Sequence, residues 1–568
     1  MKIEMFFHNR YYPWTEVKAG NITYWLKGTF FYENELLQSA DVFRLFSSVL
    51  RDSRFDHDAL KSLLLALNGN FTFVIETSQY IFCTVDRVRS IPLFYAVSRD
   101  EVLFSDDANH LRDRLNPSFN EENGAEFLVT GYVTGSDTLF DGISQLQAGE
   151  YLVYDKTEGS LATHFYHHFW HENYFSEPEE DLLNRLDKTF VRVFQRLVES
   201  TKGCQIVVPL SGGLDSRVIV AMLKRLGVKD VICFTYGKKG SRETEISRQV
   251  AEALGYKWYF VEYTKEKLYG SYHSDYMQRY REYGGNLVSL PHIQDFLAVK
   301  ELMDGGKIPE NAVFVPGHQG MVAGSLMHSG IIAGSPVYDD CSQLNKYTFE
   351  EFKGNIAKYY YNLWHWPNLT RISSVLYEKI QTSVGIITIN SLEEYTNALE
   401  FFEFKERKSK FIVNSLRVYE FFTCRWRVPL LDAELIDFFS NIGLEQRIRQ
   451  RLYIRYARDK LFVDSLTPLL TIDCTTDLNS KKSQTNPFIL RSISNALLSY
   501  SKLDLGWASI YERPLLQRMN THIRGTDLKP FIRYPSIELI LTNCNRSHFV
   551  PSCNGCLTLE FLKRCMRM

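Results

Sequence analysis

Residues 205–263 alternate between short apolar runs and amphipathic stretches, and that alternation leaves few folds open. Gln205-Ile-Val-Val-Pro-Leu210 is an apolar run too short for a helix. Val218, Ile219, Met222, Leu223 and Leu226 follow at helical spacing and stop at Gly227. Val231-Ile-Cys-Phe-Thr-Tyr236 is the next run. A second stripe, Ile246, Val250 and Leu254, ends at Gly255, and Lys257 to Tyr263 is a third run. Strand, helix, strand, helix, strand at this spacing predicts an α/β unit, a parallel sheet with helices on its faces. A further helical stripe, Leu182, Leu183, Leu186, Phe190, Val193 and Phe194, precedes it.

The first strand-to-helix turn carries the chemistry. It reads Pro209-Leu-Ser211-Gly-Gly-Leu-Asp215-Ser216-Arg217. Gly212 and Gly213 allow a tight turn that presents N–H groups. Ser211 and Ser216 add hydroxyl donors, and the following helix brings the positive end of its dipole to the loop. Together these make an anion site suited to phosphate. Asp215 supplies a carboxylate able to hold Mg²⁺. The Gly-Lys-Ser/Thr ending of a Walker A loop is absent. Composition alone also allows a plain Gly-rich turn with an Asp or Ser cap. The whole string Ser-Gly-Gly-Leu-Asp-Ser resembles the pyrophosphate loop of the ATP pyrophosphatase enzymes, which release AMP and pyrophosphate.

Roughly the first 165 residues read as β-rich. Phe71 to Ile75, Tyr80 to Val85, Leu93 to Val97 and Tyr151 to Tyr154 are short runs of β-branched and aromatic residues, separated by turn material such as Asn68-Gly69-Asn70. His164, His167, His168 and His171 then fall within eight residues, and on a helix that spacing would place them on one face, which raises a metal site. Phe165, Tyr166, Phe169 and Trp170 interleave with them, and a packed aromatic connection between domains is the favoured reading. Beyond about residue 340 the chain reads as helical and aromatic-rich.

Composition excludes several classes. Lys plus Arg is 65 against 67 Asp plus Glu, which does not favour a generally basic nucleic-acid binder. No apolar run is long enough to span a bilayer, and the N-terminus has no apolar core of a secretory signal. Ten scattered Cys argue against a disulfide scaffold and for a reducing, cytoplasmic setting. Cys553-x-x-Cys556 lacks a second pair at zinc spacing.

Three further segments narrow the choice. Leu67-Asn-Gly-Asn-Phe-Thr-Phe-Val-Ile75 with Asp86-Arg87, Pro92-Leu-Phe-Tyr95 and Leu103-Phe-Ser105 resembles the N-terminal glutamine amidotransferase domain of asparagine synthetases. Phe234-Thr-Tyr-Gly237 resembles that family's adenine-side strand end, and Arg427-Val-Pro-Leu-Leu-Asp432 its Arg-Val-Pro-Phe-Leu-Asp element. The resemblance implies an amidotransferase-like Ntn-type sandwich over residues 1–170 and a parallel-sheet synthetase domain with a helical C-terminal part over 171–500. An extension of unknown role follows over 501–568.

The resemblance also implies a reaction. A substrate carboxylate attacks the α-phosphorus of ATP, forming an acyl-adenylate and pyrophosphate, and ammonia or an amine then displaces AMP to give an amide. The expected cofactors are ATP and Mg²⁺. The carboxylate could be aspartate, a sugar acid or a peptide, and a homodimer is compatible with the family. By the same match Leu210, Ser211, Gly212, Gly213, Asp215, Ser216, Tyr236, Pro316 and Gly317 would border the nucleotide.

Several positions depart from the family. Its glutaminase uses a Cys directly after the initiator Met; here that position is Lys2, and no Cys precedes Cys83. The Asn-Gly-Glu of its glutamine pocket falls near Lys27-Gly28-Thr29. A Lys cannot supply the thiolate nucleophile, so the first domain is expected to keep the fold without the glutaminase chemistry. In the synthetase half, Met321 stands where the acidic loop has an Asp, and methionine is no hard ligand for Mg²⁺. The family's catalytic Glu is replaced by Arg425. Glu420 or Glu434 could take its place in space, and Lys481 or Lys482 could serve as the adenylate-stabilising Lys.

The leading reading is therefore an AMP-forming carboxylate–amine ligase. The rival is a non-catalytic homologue that binds nucleotide or a partner protein, favoured by Met321, Arg425 and Lys2. A tRNA-thiolating relative would show a basic RNA face or paired catalytic Cys near the loop, and neither is evident.

Overall fold

The computed structural model describes residues 2–317 apart from 9, 48 and 50–55, and residues 348–472 apart from 362–365, 367–371 and 386–387. It also describes Ser536 and residues 553–567. Met321, Lys481 and Lys482 lie outside the described residues.

The first part of the chain folds as two sheets faced by helices. A seven-stranded antiparallel sheet has the long strands Ile22–Tyr32 and Leu67–Glu76 at its centre. A four-stranded sheet joins Lys2–Phe6, Phe94–Val97, Glu101–Ser105 and Ile143–Gln145. The period of two in the strands decides what each face touches. Val74, Ile81, Cys83 and Leu152 point into a core shared with Val102 and Phe104 of the other sheet. Their neighbours Phe73, Ile75, Phe82 and Val153 point the opposite way, onto helices Ser39–Ser47 and His57–Ala66. Helices Ala108–Leu115 and Glu121–Thr130 share a core with the outer face of the smaller sheet.

In the second part the alternation read from residues 205–263 appears as a parallel sheet. Its order is Lys257–Glu262, Val231–Gly237, Gln205–Pro209, Ala312–Phe314, Arg425–Trp426. Every adjacent pair is parallel. Helices Leu214–Arg225 and Arg242–Leu254 are the crossovers, and Gly255 closes the second in the left-handed region at φ 68°. The described residues beyond 348 are mostly helical.

The four histidines do not share a helix face. Strand Ser160–Phe165 runs through His164, which packs on His57 and Tyr151. His171 is buried against Glu400 at 2.6 Å. Phe169 stacks on Phe404 at 4.6 Å, so this stretch is the packed aromatic connection. No group of three or more metal-ligating side chains occurs among the described residues.

The two parts are joined by buried polar ties. Asp432, the last residue of the Arg-Val-Pro-Leu-Leu-Asp element, caps helix Ala433–Ser440. It also accepts hydrogen bonds from Asn68 at 2.9 Å and from Arg196 at 2.7 Å. Arg417 donates to the Ser90 carbonyl at 2.5 Å. Asn286 accepts from the Ala108 amide at 2.6 Å and donates to the Asp106 carbonyl at 2.9 Å. Helix Cys553–Arg567 of the C-terminal extension docks on helix Glu121–Thr130, with Phe561 stacked on Phe127 at 5.3 Å. No described helix is long and apolar enough to cross a membrane.

Candidate active site

The Ser211–Ser216 loop sits at the C-terminal end of the central strand Gln205–Pro209, where α/β sheets bind ligands. The loop is held by its own hydroxyls. The Ser211 amide donates to Ser216 Oγ at 3.1 Å, the two Oγ atoms lie 3.1 Å apart, and the Gly213 amide donates to Ser211 Oγ at 3.2 Å. Gly213 starts helix Leu214–Arg225 with no side-chain cap. Leu210 is buried, and its amide donates to the Phe234 carbonyl at 2.8 Å, so it could border a nucleotide only through its backbone.

The neighbouring strand Ala312–Phe314 delivers Pro316 and Gly317 to the same place. A Cβ built on Gly317 would lie 2.6 Å from the Ser216 amide nitrogen, so only glycine lets the two loops approach this closely. Gly317→Ala is expected to push the loops apart. Overpacking of this kind costs about 1–3 kcal/mol, or roughly five- to 150-fold in nucleotide affinity if the binding conformation bears all of it. Calorimetric titration with ATP checks this, and an unchanged affinity would show that the loops separate freely.

Asp215, in the first turn of the helix, is half-buried. Its Oδ1 accepts a hydrogen bond from the Tyr453 hydroxyl at 3.1 Å. Burial pushes its carboxyl up to about 6, against the pull of the Tyr453 hydrogen bond and the Lys408 ammonium. Arg217, fully buried, donates to the carbonyls of Leu469 and Ile472 at 2.9 and 3.0 Å. The last residue of the motif thus anchors the chain just before the undescribed stretch that carries Lys481 and Lys482.

Tyr236 stands at the end of the next strand. Its ring stacks on Tyr263 at 4.8 Å and its hydroxyl donates to Asp295. The structure thus brings together Ser211, Gly212, Gly213, Asp215, Ser216 and Gly317. Glu420 is otherwise engaged. It is fully buried, with Oε1 accepting from the Trp426 indole at 2.9 Å. Its Oε2 takes Tyr283 at 2.6 Å and Arg417 at 2.6 Å. Glu420, the expected stand-in for the family's catalytic Glu, thus sits in a buried ion pair. Glu434 is committed to Arg192 and Arg196. Arg425 points at Cys204, with Nη2 2.6 Å from the sulfur.

Residues 195–305 match the asparagine synthase family model, and residues 57–169 match the model of a glutamine amidotransferase domain. The two matches support a relationship to the asparagine synthetase family over those stretches. No curated protein matches it. Among solved structures it is similar to the glutamine phosphoribosylpyrophosphate amidotransferase of B. subtilis, complexed with ADP and GMP. That likeness has 14% identity and a TM-score of 0.19, over 43% of this chain and 72% of that one. A second is described as the allosteric regulatory enzyme of purine biosynthesis, at 13% identity and a TM-score of 0.19, over 43% of this chain and 61% of the other. Neither carries weight at that score.

A buried ion pair lies in the stretch compared with the family's Asn-Gly-Glu. Lys27 is buried, its Nζ 2.9 Å from Asp106 Oδ2, which also accepts the Trp14 indole at 2.8 Å. Asp106 Oδ1 accepts the His8 amide at 2.7 Å, and the Lys27 ammonium lies over the rings of Tyr12 and Trp14. Lys2 lies in the edge strand, exposed, with its ammonium on Glu4. Cys83 is buried between the two sheets, and burial pushes its thiol up.

Proposed function

We propose that the protein is an ATP-dependent, AMP-forming amide ligase that activates a small-molecule carboxylate as an acyl-adenylate and passes it to ammonia or an amine. The observation that carries this reading is the Ser211–Ser216 loop closed against Gly317, with Asp215 at the start of the helix. Backbone amides at a helix N-terminus suit the pyrophosphate that leaves when a carboxylate attacks the α-phosphorus. A half-buried carboxyl with one oxygen already hydrogen-bonded fits the role of holding the divalent cation of ATP. That cation would supply charge neutralisation of the phosphates.

The first domain is read as a retained fold without glutaminase activity. Two features support this reading: the buried Lys27–Asp106 ion pair, and Cys83 buried with its thiol pushed up. The test is carboxylate-dependent ATP–pyrophosphate exchange, screened over aspartate, sugar acids and peptides, followed by AMP formation with ammonium or with glutamine. Exchange with at least one carboxylate and AMP formation with ammonium are expected. Sustained glutamate release from glutamine in step with AMP would overturn the reading of the first domain.

A second reading is a nucleotide-binding homologue that has lost catalysis. Glu420 locked in its ion pair and Arg425 turned toward Cys204 favour it. ATP binding without exchange on any carboxylate would decide for it.

A further inference from the structure

Asp215 is gripped from outside its own motif. Helix Arg451–Tyr456 begins directly after Gln450, which holds the left-handed region at φ 57°. A non-glycine residue adopts that conformation only under constraint, so the surrounding packing enforces that start. Arg451 and Arg455 bind the Glu179 carboxylate, tying this helix to the first turn of helix Glu179–Ser200. The Tyr453 ring is then buried, stacked on Phe190 at 6.2 Å and edge-on to Phe439 at 6.4 Å. Held this way, its hydroxyl reaches Asp215 Oδ1 at 3.1 Å. Among the described residues Oδ2 takes no hydrogen bond.

From this we infer that Tyr453 is a positioning residue for cation-bound ATP: it fixes the Asp215 side chain through one oxygen and leaves the other for the metal. The inference rests on the reading of Asp215 as a metal-holding carboxylate. A free Asp side chain samples several rotamers, and a single donor on a rigid ring removes that freedom before the ligand arrives. The hydroxyl also stabilises the carboxylate without neutralising it, so the site keeps its negative charge for a cation. Neither residue spacing nor any local motif marks Tyr453, because the pairing spans 238 positions.

The experiment compares wild type, Tyr453→Phe, Asp215→Asn and the double variant by calorimetry, once with ATP plus Mg²⁺ and once with ATP in EDTA. Phenylalanine keeps the stacking on Phe190, and thermal unfolding checks that the fold is retained. Tyr453→Phe is expected to weaken binding of the Mg²⁺ complex by about tenfold, the usual scale for a hydrogen bond to a charged group. Binding of metal-free ATP should stay unchanged, and the substitution should add nothing in the Asp215→Asn background. Equal losses with and without Mg²⁺, additive losses in the double variant, or no loss at all would overturn the positioning role. Wild type that binds ATP no better with Mg²⁺ than in EDTA would overturn the reading of Asp215, and this inference with it.

Discussion

Asp215→Asn is expected to weaken binding of ATP with Mg²⁺ by about thirtyfold, or about 2 kcal/mol, the scale on which removing one charged partner from a buried site acts. Asparagine keeps the shape and can still accept from Tyr453, so what is lost is the charge that faces the cation. The same variant isolates a pH effect. The Asp215 carboxyl is pushed up by burial from 3.8 to about 6. Between those values the folded protein holds a proton that the unfolded chain has released. Above about 6 the carboxylate is ionised at a desolvation cost that a bound cation offsets. Wild-type affinity should therefore be fully present above that pH and fall as pH drops through it. ATP phosphates titrate nearby, so the informative quantity is the difference between wild type and Asp215→Asn across that range. A gap that stays constant through pH about 6 would show that Asp215 does not face the cation.

The chain shows what a sequence can and cannot reveal about such a site. The strand–helix–strand alternation over 205–263 was legible because each element is short, strongly patterned and ended by glycine. Those strands and helices lie at the positions read for them. The phosphate-loop candidates Ser211 to Ser216 were legible because they lie in one contiguous turn. The roles of Tyr453, Arg217 and Glu420 were not. Tyr453 meets Asp215 from a helix 238 positions away, Arg217 is spent on the Leu469 and Ile472 carbonyls, and Glu420 is claimed by Arg417, Tyr283 and Trp426. Each pairing is set by tertiary packing, which local pattern does not encode. Asp432 is the intermediate case. Its motif was visible, but its role as the knot between Asn68, Arg196 and a helix N-terminus needed the fold. The histidine-rich stretch shows the opposite error to guard against. Four His in eight residues suggested one face, yet a strand and an irregular segment send them to different partners.

Lys27→Ala is expected to destabilise the first domain by about 3–5 kcal/mol, the range for breaking a buried ion pair by removing one partner. Lys27 and Asp106 are both almost wholly buried at 2.9 Å. Removing the ammonium leaves a carboxylate away from water with, among the described residues, the Trp14 indole and the His8 amide as its hydrogen-bond donors. Replacing both members, as Lys27→Met with Asp106→Leu, should recover only part of that loss, because both charges go together but the Trp14 indole and the His8 amide lose their acceptor. Urea unfolding of the full chain, followed through the earliest transition, measures both variants. A loss below about 1 kcal/mol for Lys27→Ala would mean that water reaches the pair and that the pocket is open. The pair matters beyond its own domain, because Asn286 of the synthetase half holds the Asp106 carbonyl and the Ala108 amide. The backbone beside the buried pair is thus tied directly to the second half of the chain, which fits the proposed reading of the first domain as a structural support. On that argument Lys27→Ala should lower the unfolding midpoint while leaving ATP affinity of the folded protein unchanged. A variant that lost ATP binding at temperatures where it is still folded would show instead that the pocket position communicates with the nucleotide loop.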